Sequence, residues 1–212
     1  EQFVSVGLDV FPEVDNHLSG YDQATPEEWC SMPEADGSVI VPIGPATETL
    51  DEMSLLLNGD STVDPAVPPE ITPGGATPMA DALRRAYSYF LTIMPVEGTP
   101  GDMYVLLATD GGPNCNGDLS CGADTCVLNM EGQISRCTPD YNCCEPPPPT
   151  GGGPAPDPQP HSCLDHEAVL EQIDALATLG VNTIVVGIPG SEPFADYLDQ
   201  FAVAGGQPDP NG

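Results

Sequence analysis

The run MYVLLA (103–108) is apolar at every position and is bounded by turn residues. A strand with one wet face would alternate apolar and polar side chains. An unbroken run instead predicts a strand covered on both faces, as in a parallel sheet flanked by helices. VNTIVVGI (181–188) reads as a second strand of the same buried type. Between them a helix is predicted from Asp165, a candidate N-cap, with Val169, Leu170, Ile173, Leu176 and Ala177 as its buried stripe and Gly180 as its stop. A further helix is predicted from Pro78 to about Met94, with Met79, Leu83, Ala86, Tyr87, Phe90, Leu91 and Met94 recurring at helical spacing. Arg84 and Arg85 lie off that stripe, facing solvent or a nearby carboxylate. Strands alternating with helices predict an α/β fold: a layered, mostly parallel sheet.

The rest of the chain is read on the same rules. FVSVGLDVF (3–11) alternates with a period of two and predicts a strand, ended by Pro12. SVIVPI (38–43) is a second short strand that Pro42 places at an edge. Thr47 to Leu57 is a short helix; Thr49 with Glu52 offers a capping box, and Leu50, Met53, Leu56 and Leu57 an apolar stripe. Pro193 to Ala204 is the last helix, and residues 12–37, 58–73 and 207–212 read as turn and loop. Residues 111–163 form a long irregular insertion containing the run EPPPPTGGGPAPDPQP (145–160). The chain is therefore read as a single domain, 1–212, with that insertion inside it.

Charge narrows the partners. Thirty-three acidic residues face three basic ones, all Arg, for a formal net charge of −30. Such a surface repels phosphate backbones and anionic membranes, so nucleic-acid binding is not expected. The acidity serves solubility, or part of it holds divalent cations, which select carboxylate and carbonyl oxygens. No apolar run approaches the roughly 18 residues of a membrane span. No basic-then-apolar leader opens the chain, so any signal peptide is expected to have been removed or never included.

Eight cysteines are present: Cys30, Cys115, Cys121, Cys126, Cys137, Cys143, Cys144 and Cys163. An even number gathered mainly in a Pro/Gly-rich segment predicts a disulfide framework made in an oxidising compartment, with connectivity left open. A zinc site would call for closely spaced pairs such as C-x2-C, and none occurs. The vicinal Cys143 and Cys144 are expected to have separate partners rather than to close a redox-active ring.

Open α/β sheets place ligands at the carboxyl ends of their strands. Asp110 directly follows the run 103–108, and Thr77 sits in GGATP (74–78), just before the helix that precedes that run. A carboxylate and a hydroxyl meeting at one rim would supply the hard oxygens that Mg²⁺ prefers. An aspartate in that position is also an ordinary turn or N-cap residue. Asn114, Asn116 and Asp118 space oxygens as at the start of a calcium loop, or form a simple turn cluster. His17, His161 and His166 are expected at the surface, and Trp29 as a packing anchor for its loop. No G-x-S-x-G, catalytic carboxylate pair or phosphate-cradling loop is found, so an enzyme is not expected.

The segments GGATPMADAL (74–83), YVLLATDGGPNCNG (104–117) and LATLGVNTIVVGIPG (176–190) resemble successive blocks of von Willebrand factor type A domains, in particular secreted bacterial forms with Cys-rich insertions. VSVGLDVFP (4–12) and FAVAGG (201–206) resemble further blocks in the same order. The resemblance implies a doubly wound sheet and a metal-ion-dependent adhesion site for Mg²⁺ or Mn²⁺. Thr77 matches its threonine ligand, and Asp110 the aspartate that acts through water. An acidic side chain of a protein partner would complete the coordination. The family's D-x-S-x-S loop and first strand precede the block at residue 4 and have no match here, and neither do its last strand and helix. The absent first strand would lie between the strands at 3–11 and 103–108. Two functions follow as expectations: a secreted or cell-surface adhesion module, or a surface-layer or filament subunit on the same scaffold with a vestigial metal site.

Overall fold

A computed structural model of the chain describes residues 4–11, 30, 32, 40–58, 76–94, 101–121 and 163–207. The expected loop residues 12–29, Trp29 included, lie outside it, as do His17, His161 and the Pro/Gly run 145–160.

The two N-terminal strands pair with each other. β1 (Ser5–Leu8) runs antiparallel to β2 (Val41–Pro45), with Ser5 opposite Pro45 and Val6 opposite Gly44, and the register shifts before Leu8 meets Val41. Gly7 lies at that irregularity. A Cβ there would sit 2.7 Å from the Val41 carbonyl oxygen, so the close approach requires glycine. α1 (Ala46–Asn58) follows β2 without a break. Thr49 is therefore inside the first turn and is not its cap. Its hydroxyl donates to the Pro45 carbonyl at 3.3 Å, four residues back. The covered side of α1 is Thr49, Met53 and Leu56, whereas Leu50 and Leu57 of the expected stripe are about half exposed.

The larger unit is built from α2 (Met79–Ile93), β3 (Met103–Thr109), α3 (His166–Thr178), β4 (Val181–Gly187) and α4 (Ala195–Ala204), the last entered through a 3-10 turn, Glu192–Phe194. β3 and β4 are parallel and paired without interruption from Met103–Val181 to Thr109–Gly187. Met79, Leu83 and Phe90 of α2, Leu107 of β3, Val169, Ile173 and Leu176 of α3, Val181 of β4, and Leu198 and Phe201 of α4 form one core. Each such side chain, fully buried, is worth about 1.5–3 kcal/mol. Gly180, at φ +79°, adopts the left-handed conformation that ends α3 and turns the chain into β4.

One expectation about β3 is corrected. Its odd-numbered residues turn into the core, but Asp102, Tyr104, Leu106, Ala108 and Asp110 form an exposed row, with Leu106 64% accessible. An apolar run fixes what a strand can tolerate on its two faces. Whether both are covered depends on elements elsewhere in the chain. In register beside that row, Ile184 is half-buried and Val186 is exposed, followed by exposed Ile188.

Among the described residues β1–β2 and β3–β4 are two separate two-stranded sheets, one antiparallel and one parallel. This is an α/β arrangement, and a complete doubly wound sheet is not among those residues. α2 links the two pairs. The Ile43 amide donates to the Tyr89 hydroxyl at 2.8 Å, and Arg85, only 3% exposed, pairs with Asp9 at 3.4 Å. Arg84 pairs instead with Asp81 on the wet side of the same helix.

Candidate functional site

The loop ahead of α2 and the loop leaving β3 meet at the carboxyl end of the parallel pair. Thr77 is 5% exposed, in the segment 76–78 that leads into α2. Its carbonyl oxygen accepts from the Met79 amide at 2.7 Å, a three-residue turn ahead of the helix, whose first bond runs from the Ala82 amide to the Pro78 carbonyl at 3.0 Å. Asp110 is the first residue past β3 and is exposed. Gly111 lies directly against Thr77: a Cβ on Gly111 would stand 3.1 Å from the Thr77 hydroxyl oxygen. The structure thus places the buried hydroxyl beside the residue that follows Asp110.

The rim has a second wall. The Ile188 amide donates to the Thr109 carbonyl at 2.9 Å, carrying the parallel ladder one step beyond the strands. Gly190, at φ +116°, passes so close that a Cβ on it would lie 3.0 Å from the Asp110 carbonyl oxygen and 3.5 Å from the Asp110 Cβ. Its amide donates to a carboxylate oxygen of Glu192 at 2.9 Å, which brings a second acidic side chain to the same rim. Glu192 is a residue the sequence reading did not single out.

Asn114 joins the two loops. The Thr77 amide donates to Asn114 Oδ1 at 2.8 Å, and the Asn114 amide donates to the Thr77 carbonyl at 3.0 Å. Asn114 is 3% exposed, so both bonds are shielded from water. Asn116 turns elsewhere: its Oδ1 accepts from the Asp118 amide at 3.1 Å, and its Nδ2 donates to Asp165 Oδ1 at 2.9 Å. Within 114–118, two of the three side chains with calcium-loop spacing thus accept backbone amides, an arrangement typical of turns.

Disulfides anchor this loop at both ends. Cys30 bonds to Cys115, and Cys121 to Cys163, the residue two before the N-cap of α3. Two bonded pairs fit an oxidising compartment. Cys126, Cys137, Cys143 and Cys144 lie outside the described residues. Cys115 has φ +84°, a conformation costly for a residue with a Cβ, and its sulfur rests 3.2 Å from Asn114 Oδ1. A bonded sulfur carries no proton, so this is a packing contact.

Asp165 caps α3 by position but makes no side-chain bond to the helix amides. Burial pushes its carboxyl above the ordinary 3.8, opposed by the hydrogen bond from Asn116 and by the charges of His166 and Arg84. His166, expected at the surface, is half-buried, with its ring 4.9 Å from that of Tyr197 and Nδ1 enclosed.

Thr77 and Asp110 are hard oxygen donors, a chemistry that fits Mg²⁺ or Mn²⁺. Two such donors fill only part of an octahedron, leaving the other positions to water or to a partner's oxygens. Among the described residues no group of three or more His, Cys, Asp or Glu gathers as a metal cluster. No described helix is long and apolar enough to cross a membrane.

Comparison with models of known families, with curated proteins and with solved structures returned no match.

Proposed function

We propose that this chain is a non-enzymatic, von Willebrand factor type A-like adhesion module, secreted or held at a cell surface, that recognises a protein ligand at the carboxyl end of its parallel strands. The observation that carries this reading is the contact of Thr77 with Gly111, beside Asp110, at the end of β3. Thr77 and Asp110 would hold Mg²⁺ or Mn²⁺, and an acidic side chain of the partner would complete the coordination. The ion would supply Lewis-acid attraction for that carboxylate. The protein's part is to keep the hydroxyl buried, the carboxylate exposed and the rim open. Calorimetric titration with MnCl₂ tests the reading. Wild type is expected to bind, with affinity reduced tenfold or more in Thr77→Ala and Asp110→Ala; wild-type protein without measurable Mn²⁺ binding sinks the metal-dependent mechanism.

A second reading, a surface-layer or filament subunit, draws support from a different observation. Tyr104 and Leu106 of β3, with Val186 and Ile188 beside them, leave an apolar sheet face exposed. Among the described residues β3 is paired on one side only. Exposed strand edges invite pairing with another chain. Assembly would be read by light scattering with and without chelator. Polymers that form equally in both favour the subunit, and a protein monomeric at all concentrations removes it.

A further inference from the structure

We infer that Asn114 is the positioning residue of the rim, setting where the Thr77 hydroxyl stands, and that the Cys30–Cys115 bond holds it in place; the functional part of this inference rests on the reading of Thr77 proposed above. Asn114 and Thr77 exchange two hydrogen bonds across 37 positions of sequence, one ending on the Asn114 carboxamide and one between the two backbones. These two bonds tie the segment 76–78 ahead of α2 to the loop after β3 and so set its height above the sheet. Three neighbours fix Asn114 in turn. The Pro113 carbonyl accepts from the Asp165 amide at 2.9 Å, tying the loop to the start of α3. Gly112 is packed so tightly that a Cβ on it would meet the Phe194 ring at 2.5 Å. Cys115 is covalently held by Cys30 and touches the Asn114 carboxamide oxygen. The left-handed backbone at Cys115 turns the chain immediately after Asn114.

A buried carboxamide bonded to one amide is replaceable in bulk but not in acceptor position. That distinction gives the test. Asn114→Ala removes the acceptor for the Thr77 amide, Asn114→Asp keeps one, and Ile173→Val, a mild core change worth about 0.5–1.5 kcal/mol, serves as a stability control. Two quantities are read on each: hydrogen exchange at the Thr77 amide and Mn²⁺ affinity.

The expected result is Thr77 exchange at least tenfold faster in Asn114→Ala, near wild type in Asn114→Asp, and unchanged in Ile173→Val. Mn²⁺ affinity should follow the same order. Equal exchange in the alanine and wild-type proteins overturns the inference, as does equal loss in the alanine and aspartate variants. If wild type binds no Mn²⁺, the metal reading falls by itself, and Thr77 exchange alone decides whether Asn114 positions the loop. The double variant Cys30→Ser with Cys115→Ser, which leaves Cys121–Cys163 in place, should likewise accelerate Thr77 exchange. Unchanged exchange in that variant removes the role given to the Cys30–Cys115 bond.

Discussion

The amide of Ile43, on β2, donates to the hydroxyl of Tyr89, on α2, at 2.8 Å. The bond ties the antiparallel pair to the helix whose other residues build the main core. Tyr89 is buried while Ile43 is 38% exposed, so an orphaned Ile43 amide would find water. Tyr89→Phe is therefore expected to lose about 0.5–1.5 kcal/mol, the usual net worth of one hydrogen bond. Urea unfolding measures it. A loss above about 3 kcal/mol would mean that the two strand pairs separate once this link is cut.

Gly205, just past α4, sits against β4. Its carbonyl accepts from the Thr183 amide at 3.1 Å, and a Cβ on it would run into the Thr183 carbonyl oxygen, far inside van der Waals contact. The obstacle is backbone within a paired strand, which cannot swing away as a side chain would. Gly205→Ala is expected to destabilise by about 1–3 kcal/mol. Thermal unfolding checks this, and a Tm equal to wild type would show that the α4–β4 approach is looser than described.

Asp165 gives a pH dependence of definite sign. Burial raises its folded-state titration above 3.8, so the folded chain holds that proton more tightly than the unfolded chain. Its contribution is most favourable below the ordinary carboxylate value. It declines as pH rises through the window between the unfolded and folded values, because above it a buried charge must be carried. Asp165→Asn keeps an oxygen that can accept from Asn116 and removes the charge. The variant should be more stable than wild type above the window and equal to it below. A stability difference independent of pH would refute the assignment.

The Cys121–Cys163 bond closes a span of 42 positions. In the chain-entropy account such a loop contributes about 4 kcal/mol by restricting the unfolded state. The double variant Cys121→Ser with Cys163→Ser should lose about that much in urea unfolding. A loss under about 1 kcal/mol would mean that the insertion is constrained by other means.

Much of this architecture is legible in the sequence, and the parts that are not share a cause. Helical spacing predicts Pro78 to Met94, and α2 spans Met79–Ile93; the apolar runs predict β3 and β4 within a residue. These signals are local. The capping box at Thr49 fails because the chain passes from β2 straight into α1 at Ala46, three residues early. Asn114 carries no local signal, since its partner Thr77 lies on another loop. The burial of Arg85 depends on Asp9, far back in the chain. Spacing along one element sees none of these.

The even ladder between β3 and β4 has one more result. Because Thr109 pairs with Gly187 as the last rung, both strands release their chains at the same level. The segments 110–112 and 188–191 therefore leave from a common platform at the end of the parallel pair. Under the adhesion reading, substitutions at the exposed positions Asp110, Ile188 and Pro189 should alter ligand preference while leaving melting behaviour nearly unchanged, whereas Gly112 and Gly190 leave no room for a side chain. This would let one scaffold be retuned for new ligands by exchanging a handful of loop residues.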